Sequence, residues 1–144
     1  MTGYTAKSVG LIHLYLGDGK GKTTAAMGLA LRALGHGRRV TVLQFLKDGN
    51  SGEVTLLKHL GAKVHAGKPE PGFTWELGEE DLRRVKARQD RLLREAMQSD
   101  CDLLVLDEAC DALETGLINE ELLREAVLRH PANREVVLDR KSVV

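Results

Sequence analysis

The feature that most limits what this chain can become is an apolar run, Val9 to Leu16 (VGLIHLYL), that passes straight into Gly17, Asp18, Gly19, Lys20, Gly21, Lys22, Thr23 and Thr24. An Ala/Leu-rich segment, Thr23 to Leu34, follows and is closed by Gly35 and Gly37. The pattern reads strand, tight loop, helix. Glycines let the backbone curl so that its N–H groups converge on an anion, and the N-terminus of the following helix adds positive potential. Lys22 is placed to neutralise phosphate oxygens, and the Thr23 hydroxyl to ligate Mg²⁺. The general spacing GxxxxGK[ST] asks for glycine at position 16, but Leu16 stands there and Gly17 comes one residue late, so the loop is a shortened variant. A dinucleotide fingerprint, GxGxxG from Gly17 and Gly19, fails because it demands glycine at Lys22. The competing reading is a glycine-rich turn with a helix cap. Three glycines, the GKTT ending and the strand-loop-helix context favour phosphate binding.

Beyond the loop, short β-branched or aliphatic runs alternate with helical patterns. Arg39 to Phe45 (RVTVLQF), Lys63 to His65, Leu103 to Leu106 (LLVL) and Glu135 to Leu138 (EVVL) read as strands. Gly52 to Leu60, Glu79 to Ser99 and Asn119 to Arg129, the last stopped by Pro131, read as helices. Ala66 to Gly78 (AGKPEPGFTWELG) holds two of the three prolines and reads as a loop. In the helix from Glu79, Leu82, Val85, Leu92, Leu93, Ala96 and Met97 keep helical spacing and the remaining faces are dense in charge. Alternation of this kind predicts an α/β fold: a doubly wound, mainly parallel sheet of about five strands, helices on both faces, built as one domain over residues 1–144.

A second half of a phosphate site is an acid at the carboxyl end of a hydrophobic strand, where such sheets bind ligands. Leu103 to Glu108 (LLVLDE) supplies Asp107 and Glu108, hard oxygen donors suited to Mg²⁺, which usually keeps several waters. The alternative is an ordinary acid pair capping the next helix. Composition excludes other classes. Lys+Arg and Asp+Glu number 21 each, and Arg83, Arg84, Lys86, Arg88, Arg91 and Arg94 are interleaved with acids, which argues against a nucleic-acid surface. The start, MTGYTAKSVG, lacks a secretory pattern and no apolar stretch reaches membrane-spanning length, so a cytoplasmic protein is expected. Cys101 and Cys110 form no CxxC pair and read as reduced packing residues.

The run GDGKGKTTAAMGLALRALGHGRRVTVLQFLK, Gly17 to Lys47, closely resembles the corrinoid adenosyltransferases of the ATP:cob(I)alamin type. Gly52-Glu53 with Leu56-Leu57, GFTWE (Gly72 to Glu76), VLDE (Val105 to Glu108) and EVVL (Glu135 to Leu138) continue the resemblance in order over nearly the whole chain. The resemblance implies transfer of the 5′-deoxyadenosyl group of MgATP to the cobalt of a corrinoid reduced to Co(I), with release of triphosphate. Gly17 to Thr24 would bind the nucleotide, Thr23, Asp107 and Glu108 the metal, and Lys22 would stabilise the leaving group. Only Phe45, Phe73, Trp75, Tyr4 and Tyr15 are aromatic. By the family's pattern Phe73 and Trp75 help strip the lower axial ligand from cobalt; the alternative is that they fold back as a small satellite core. Arg32 and His36 match the family's RAxGHG run without a role the sequence assigns. The other histidines are scattered and read as structural or exposed.

After VVL the family continues with TGR, a further strand and a basic tail. Here Leu138-Asp139 replaces Thr-Gly, Arg140 keeps its place, and Lys141 to Val144 end the given sequence. Cys110 and Asp111 stand where the family commonly has an uncharged residue and an aromatic. The expectation is a C-terminally shortened member whose sheet lacks its last strand and has an open edge, with ATP and a corrinoid as substrates, an external reductant for cobalt, and a homodimer as the assembly. A relative that binds nucleotide or corrinoid without turnover is the alternative, and a small P-loop kinase or NTPase a third reading that GFTWE and the short loop count against.

Overall fold

In the computed structural model, residues 11–16, 22–45, 52–66, 78–131 and 133–140 are described. They form β1 (Ile12–Leu16), α1 (Lys22–Gly35), β2 (Val40–Gln44), α2 (Gly52–His59), β3 (Lys63–Ala66), α3 (Glu79–Gln98), β4 (Leu103–Asp107), α4 (Ala109–Glu114), α5 (Glu120–Leu128) and β5 (Glu135–Arg140). The five strands make one sheet in the order β1-β5-β4-β2-β3, and every pairing is parallel. The expected α/β architecture is the one observed. Among the described residues β1 and β3 are its edges.

Right-handed crossovers decide which face each helix covers. The chain steps from β1 over β5 and β4 to β2, then outward to β3, so α1 and α2 share one face. From β3 it turns back to β4 and then to β5, so α3, α4 and α5 fall on the other. The two cores follow this division. Ala26, Met27 and Ala30 of α1 and Val54 and Leu57 of α2 pack on Val40, Val42, Leu103, Val105 and Val137. Leu93 and Ala96 of α3, Ala109 and Ala112 of α4 and Leu122, Leu123 and Ala126 of α5 pack on Leu43, Phe45, Leu104, Leu106, Val136 and Leu138. Because both faces are covered, β2 and β4 are buried at every position, which is why their sequences are mostly apolar rather than alternating.

Helix ends are set locally. Gly37, at φ 75°, takes the left-handed position after α1, and the Gly37 and Arg38 N–H groups donate to the Leu34 and Ala33 carbonyls. Asn119 caps α5, its side chain accepting from the Leu122 N–H. Two features depart from the sequence expectation. α4, six residues long, follows the strand-end acids directly, too short for a periodic signal. Gln89 and Asp90 of α3 are buried although they lie among the charged positions; Asp90 accepts the Asn119 N–H at 2.7 Å and so ties α3 to the start of α5.

Candidate phosphate and metal site

Parallel strands place all their carboxyl ends at one edge of the sheet, and α1 starts there, after β1. Residues 17–21, which carry Gly17, Asp18, Gly19, Lys20 and Gly21, lie outside the described residues. Lys22, Thr23 and Thr24 form the first turn of α1, and their side chains also lie outside the description. α1 then packs across β4, β5, β1 and β2.

Gln44 and Asp107 are the last residues of β2 and β4 and sit opposite each other in the pairing register. Side chains alternate along a strand, so Gln44 shares a face with Val42, and Asp107 with Val105. Both of those valines belong to the core under α1. The amide and the carboxylate are therefore on the α1 face, at the edge from which α1 begins. Both residues are 1% exposed. Gln44 Nε2 donates to Asp107 Oδ2 at 2.9 Å, and the Phe45 N–H donates to the Asp107 carbonyl at 3.2 Å, carrying the ladder one residue past the strands. The Gln44 carbonyl oxygen, Oε1, is buried without a hydrogen-bond partner among the described residues.

Glu108 follows at φ 61°, and it is the sole non-glycine residue with positive φ among the described residues. A left-handed glutamate costs about 1–3 kcal/mol and persists where surrounding structure imposes it. Its half-exposed side chain makes no capping hydrogen bond to α4, so the reading of this acid as a helix cap fails. The donor set at this edge is oxygen: the Asp107 and Glu108 carboxylates and the unpartnered Gln44 carbonyl. That chemistry fits a hard, partly hydrated cation such as Mg²⁺. No group of three or more His, Cys, Asp or Glu side chains among the described residues is arranged to hold a metal by itself.

The remaining candidates separate. Phe73 and Trp75 lie outside the described residues. Arg32 and His36 are at the other end of α1, which at 14 residues spans about 20 Å. They line a cavity of about 500 Å³ with Leu29, Ala33, Arg38, Leu103 and Glu135, at the amino ends of β4 and β5. Glu135 there meets His13 Nε2 at 3.1 Å and Arg38 at 3.6 Å. Neither Arg32 nor His36 therefore belongs to the phosphate end. Cys101 and Cys110 form no disulfide. Arg83, Arg84, Lys86, Arg88, Arg91 and Arg94 lie exposed or half-exposed along α3, as a solvated face requires. No helix among the described residues is long and apolar enough to cross a membrane.

Sequence reasoning did not single out Gln44. The signal was present: it is the one amide in a strand whose neighbours Val40, Val42, Leu43 and Phe45 are all buried and apolar.

Residues 8–142 match the family described as ATP:corrinoid adenosyltransferase BtuR/CobO/CobP. The chain belongs to this corrinoid adenosyltransferase family. It is 34% identical over 134 residues to the corrinoid adenosyltransferase of Pseudomonas aeruginosa, covering 90% of this chain and 65% of that protein. Against the corrinoid adenosyltransferase of Escherichia coli K12 the identity is 33% over 132 residues, with 90% and 66% covered. Against the corrinoid adenosyltransferase CobA of Salmonella typhimurium it is 35% over 132 residues, again with 90% and 66% covered. The chain thus spans slightly less than two thirds of the length of these adenosyltransferases.

Proposed function

We propose that the chain transfers the 5′-deoxyadenosyl group of ATP to Co(I) of a reduced corrinoid and releases triphosphate. The observation that carries this reading is the buried Gln44–Asp107 pair at the carboxyl edge, on the face that α1 covers and at the edge where α1 begins. Co(I) is itself a strong nucleophile, so no Ser, Cys or His nucleophile is required of the protein. In the step, a cobalt–carbon bond forms to C5′ with both electrons from Co(I), and the C5′–oxygen bond breaks with its electrons going to the triphosphate.

The residues then have two tasks, alignment of C5′ with cobalt and stabilisation of charge growing on the leaving group. Lys22 and the backbone N–H groups of Gly17 to Thr24 take the triphosphate oxygens. Thr23, Asp107 and Glu108 would hold Mg²⁺, which when bound neutralises part of the phosphate charge. Phe73 and Trp75 supply an apolar wall against the corrinoid that keeps water and a lower axial ligand from cobalt. An external reductant, a cytoplasmic location and a homodimeric assembly belong to the same reading; light scattering tests the last, and a monomer overturns it.

Anaerobic incubation of the protein with reduced corrinoid, ATP and MgCl₂ is expected to change the corrinoid spectrum as the cobalt–carbon bond forms, and Lys22→Ala to abolish the change. ATP binding with an unchanged spectrum would instead support the reading of a nucleotide-binding relative without turnover.

A further inference from the structure

We propose that Gln44 is a positioning residue of the phosphate site, using both ends of its amide: the N–H₂ fixes the Asp107 carboxylate, and the buried carbonyl accepts a hydrogen bond from a water of the cation that Asp107 holds. The proposal rests on the phosphate-site reading above and adds to it a residue and a role.

The orientation of the amide follows from its partner. A carboxylate oxygen accepts hydrogen bonds, so the Gln44 atom 2.9 Å from Asp107 Oδ2 is the nitrogen, and Oε1 is the atom left without a partner among the described residues. A buried carbonyl in that condition carries a desolvation cost that no hydrogen bond repays. Such a cost is not explained by packing: the strand could close with Met or Leu at this position, as Val42 and Leu43 do beside it. Nor does fixing Asp107 require an unpartnered oxygen. A donor supplied with the ligand resolves both points. Mg²⁺ retains several waters when bound through one or two carboxylates, and each such water donates outward. With the carbonyl at the end of β2 and the carboxylate at the end of β4, adjacent in register, a water on a cation at Asp107 is the donor this edge of the sheet can accept. Groups that orient metal ligands from behind typically change metal affinity 10–100-fold when removed.

The test uses the full chain, with Mn²⁺ as a paramagnetic stand-in for Mg²⁺. Free Mn²⁺ is measured by electron paramagnetic resonance as it is titrated into protein and ATP, and thermal unfolding of the metal-free protein is followed in parallel. Gln44→Met keeps the length and removes both polar ends; the expected result is at least about tenfold weaker Mn²⁺ binding, whatever the change in thermal midpoint. Gln44→Glu keeps an acceptor and loses the donor, and is expected to retain Mn²⁺ affinity within a few-fold of wild type while weakening the metal-free fold, because two carboxylates then face each other. A purely structural role predicts for Gln44→Met a lower midpoint with unchanged Mn²⁺ affinity, and unchanged affinity overturns the proposal. If either variant fails to fold, the other still carries the metal titration. Wild-type protein that binds no Mn²⁺ with ATP overturns the phosphate-site reading itself, whereas wild-type binding with no weakening in Gln44→Met overturns the role of Gln44 alone.

Discussion

Asp102, just before β4, accepts the Arg39 backbone N–H at 2.9 Å and the same residue's Nε and Nη2 at 3.2 and 3.0 Å. These bonds favour the ionised carboxyl and hold its pKa at about 2, below the ordinary carboxylate value. A group with a depressed folded pKa adds stability above its unfolded pKa and loses it as pH falls through the folded one. The contribution is therefore complete above about pH 4 and disappears toward pH 2. Urea midpoints of wild type and Asp102→Asn should differ at pH 6 and converge near pH 2; a difference that persists unchanged at pH 2 would sink this assignment. Asp107→Asn is expected to weaken Mg²⁺-dependent nucleotide binding at least about tenfold while leaving binding in EDTA little changed, as read by calorimetry. Asp107 and Glu108 were legible in the sequence because acids that end an apolar strand stand out. Gln44 was not, because its partner is 63 residues away and only the β2–β4 register brings the two together.

At the scale of elements, strands and long helices could be read from apolar runs and spacing, whereas the contacts that fasten them could not. Arg134 is the clearest case. It is 6% exposed and directs Nη1 to the Met97 carbonyl at 3.0 Å, Nη2 to Ser99 at 2.7 Å and Nε to Cys101 at 3.3 Å. A cation thus sits on the carbonyl end of α3, where the helix dipole is negative and the last carbonyls lack helical donors. Nothing in a single arginine before EVVL signals this, since its partners lie 33 to 37 residues earlier. Arg134→Met would keep much of the packing and strand three buried carbonyls, so a loss of about 2–4 kcal/mol is expected in denaturant unfolding. The cap on α5 offers a smaller measure. Asn119→Ala removes the acceptor for the Leu122 N–H and should lower stability by about 1 kcal/mol.

At the scale of the whole molecule, the sheet is the element that both cores share among the described residues. Residues of alternating parity on β2, β4 and β5 feed the α1–α2 core on one side and the α3–α4–α5 core on the other. Neither core can persist without the sheet, and the sheet buries every residue of β2 and β4 only when both are present. The alternation of strands and helices made this architecture legible from sequence, but the strand order, and with it the partnering of β1 with β5, comes from the packing. It follows that damage to either side should be felt as one event. Met27→Ala opens a space beneath α1 and Leu104→Ala one beneath the opposite layer, where the parent side chains are 3% and 0% exposed. Each is expected to cost about 2–5 kcal/mol. Unfolding should remain a single transition, with the denaturant slope unchanged and fluorescence and circular dichroism midpoints coincident. Two separated transitions in either variant would mean that the faces unfold independently and that the described residues do not form one cooperative unit.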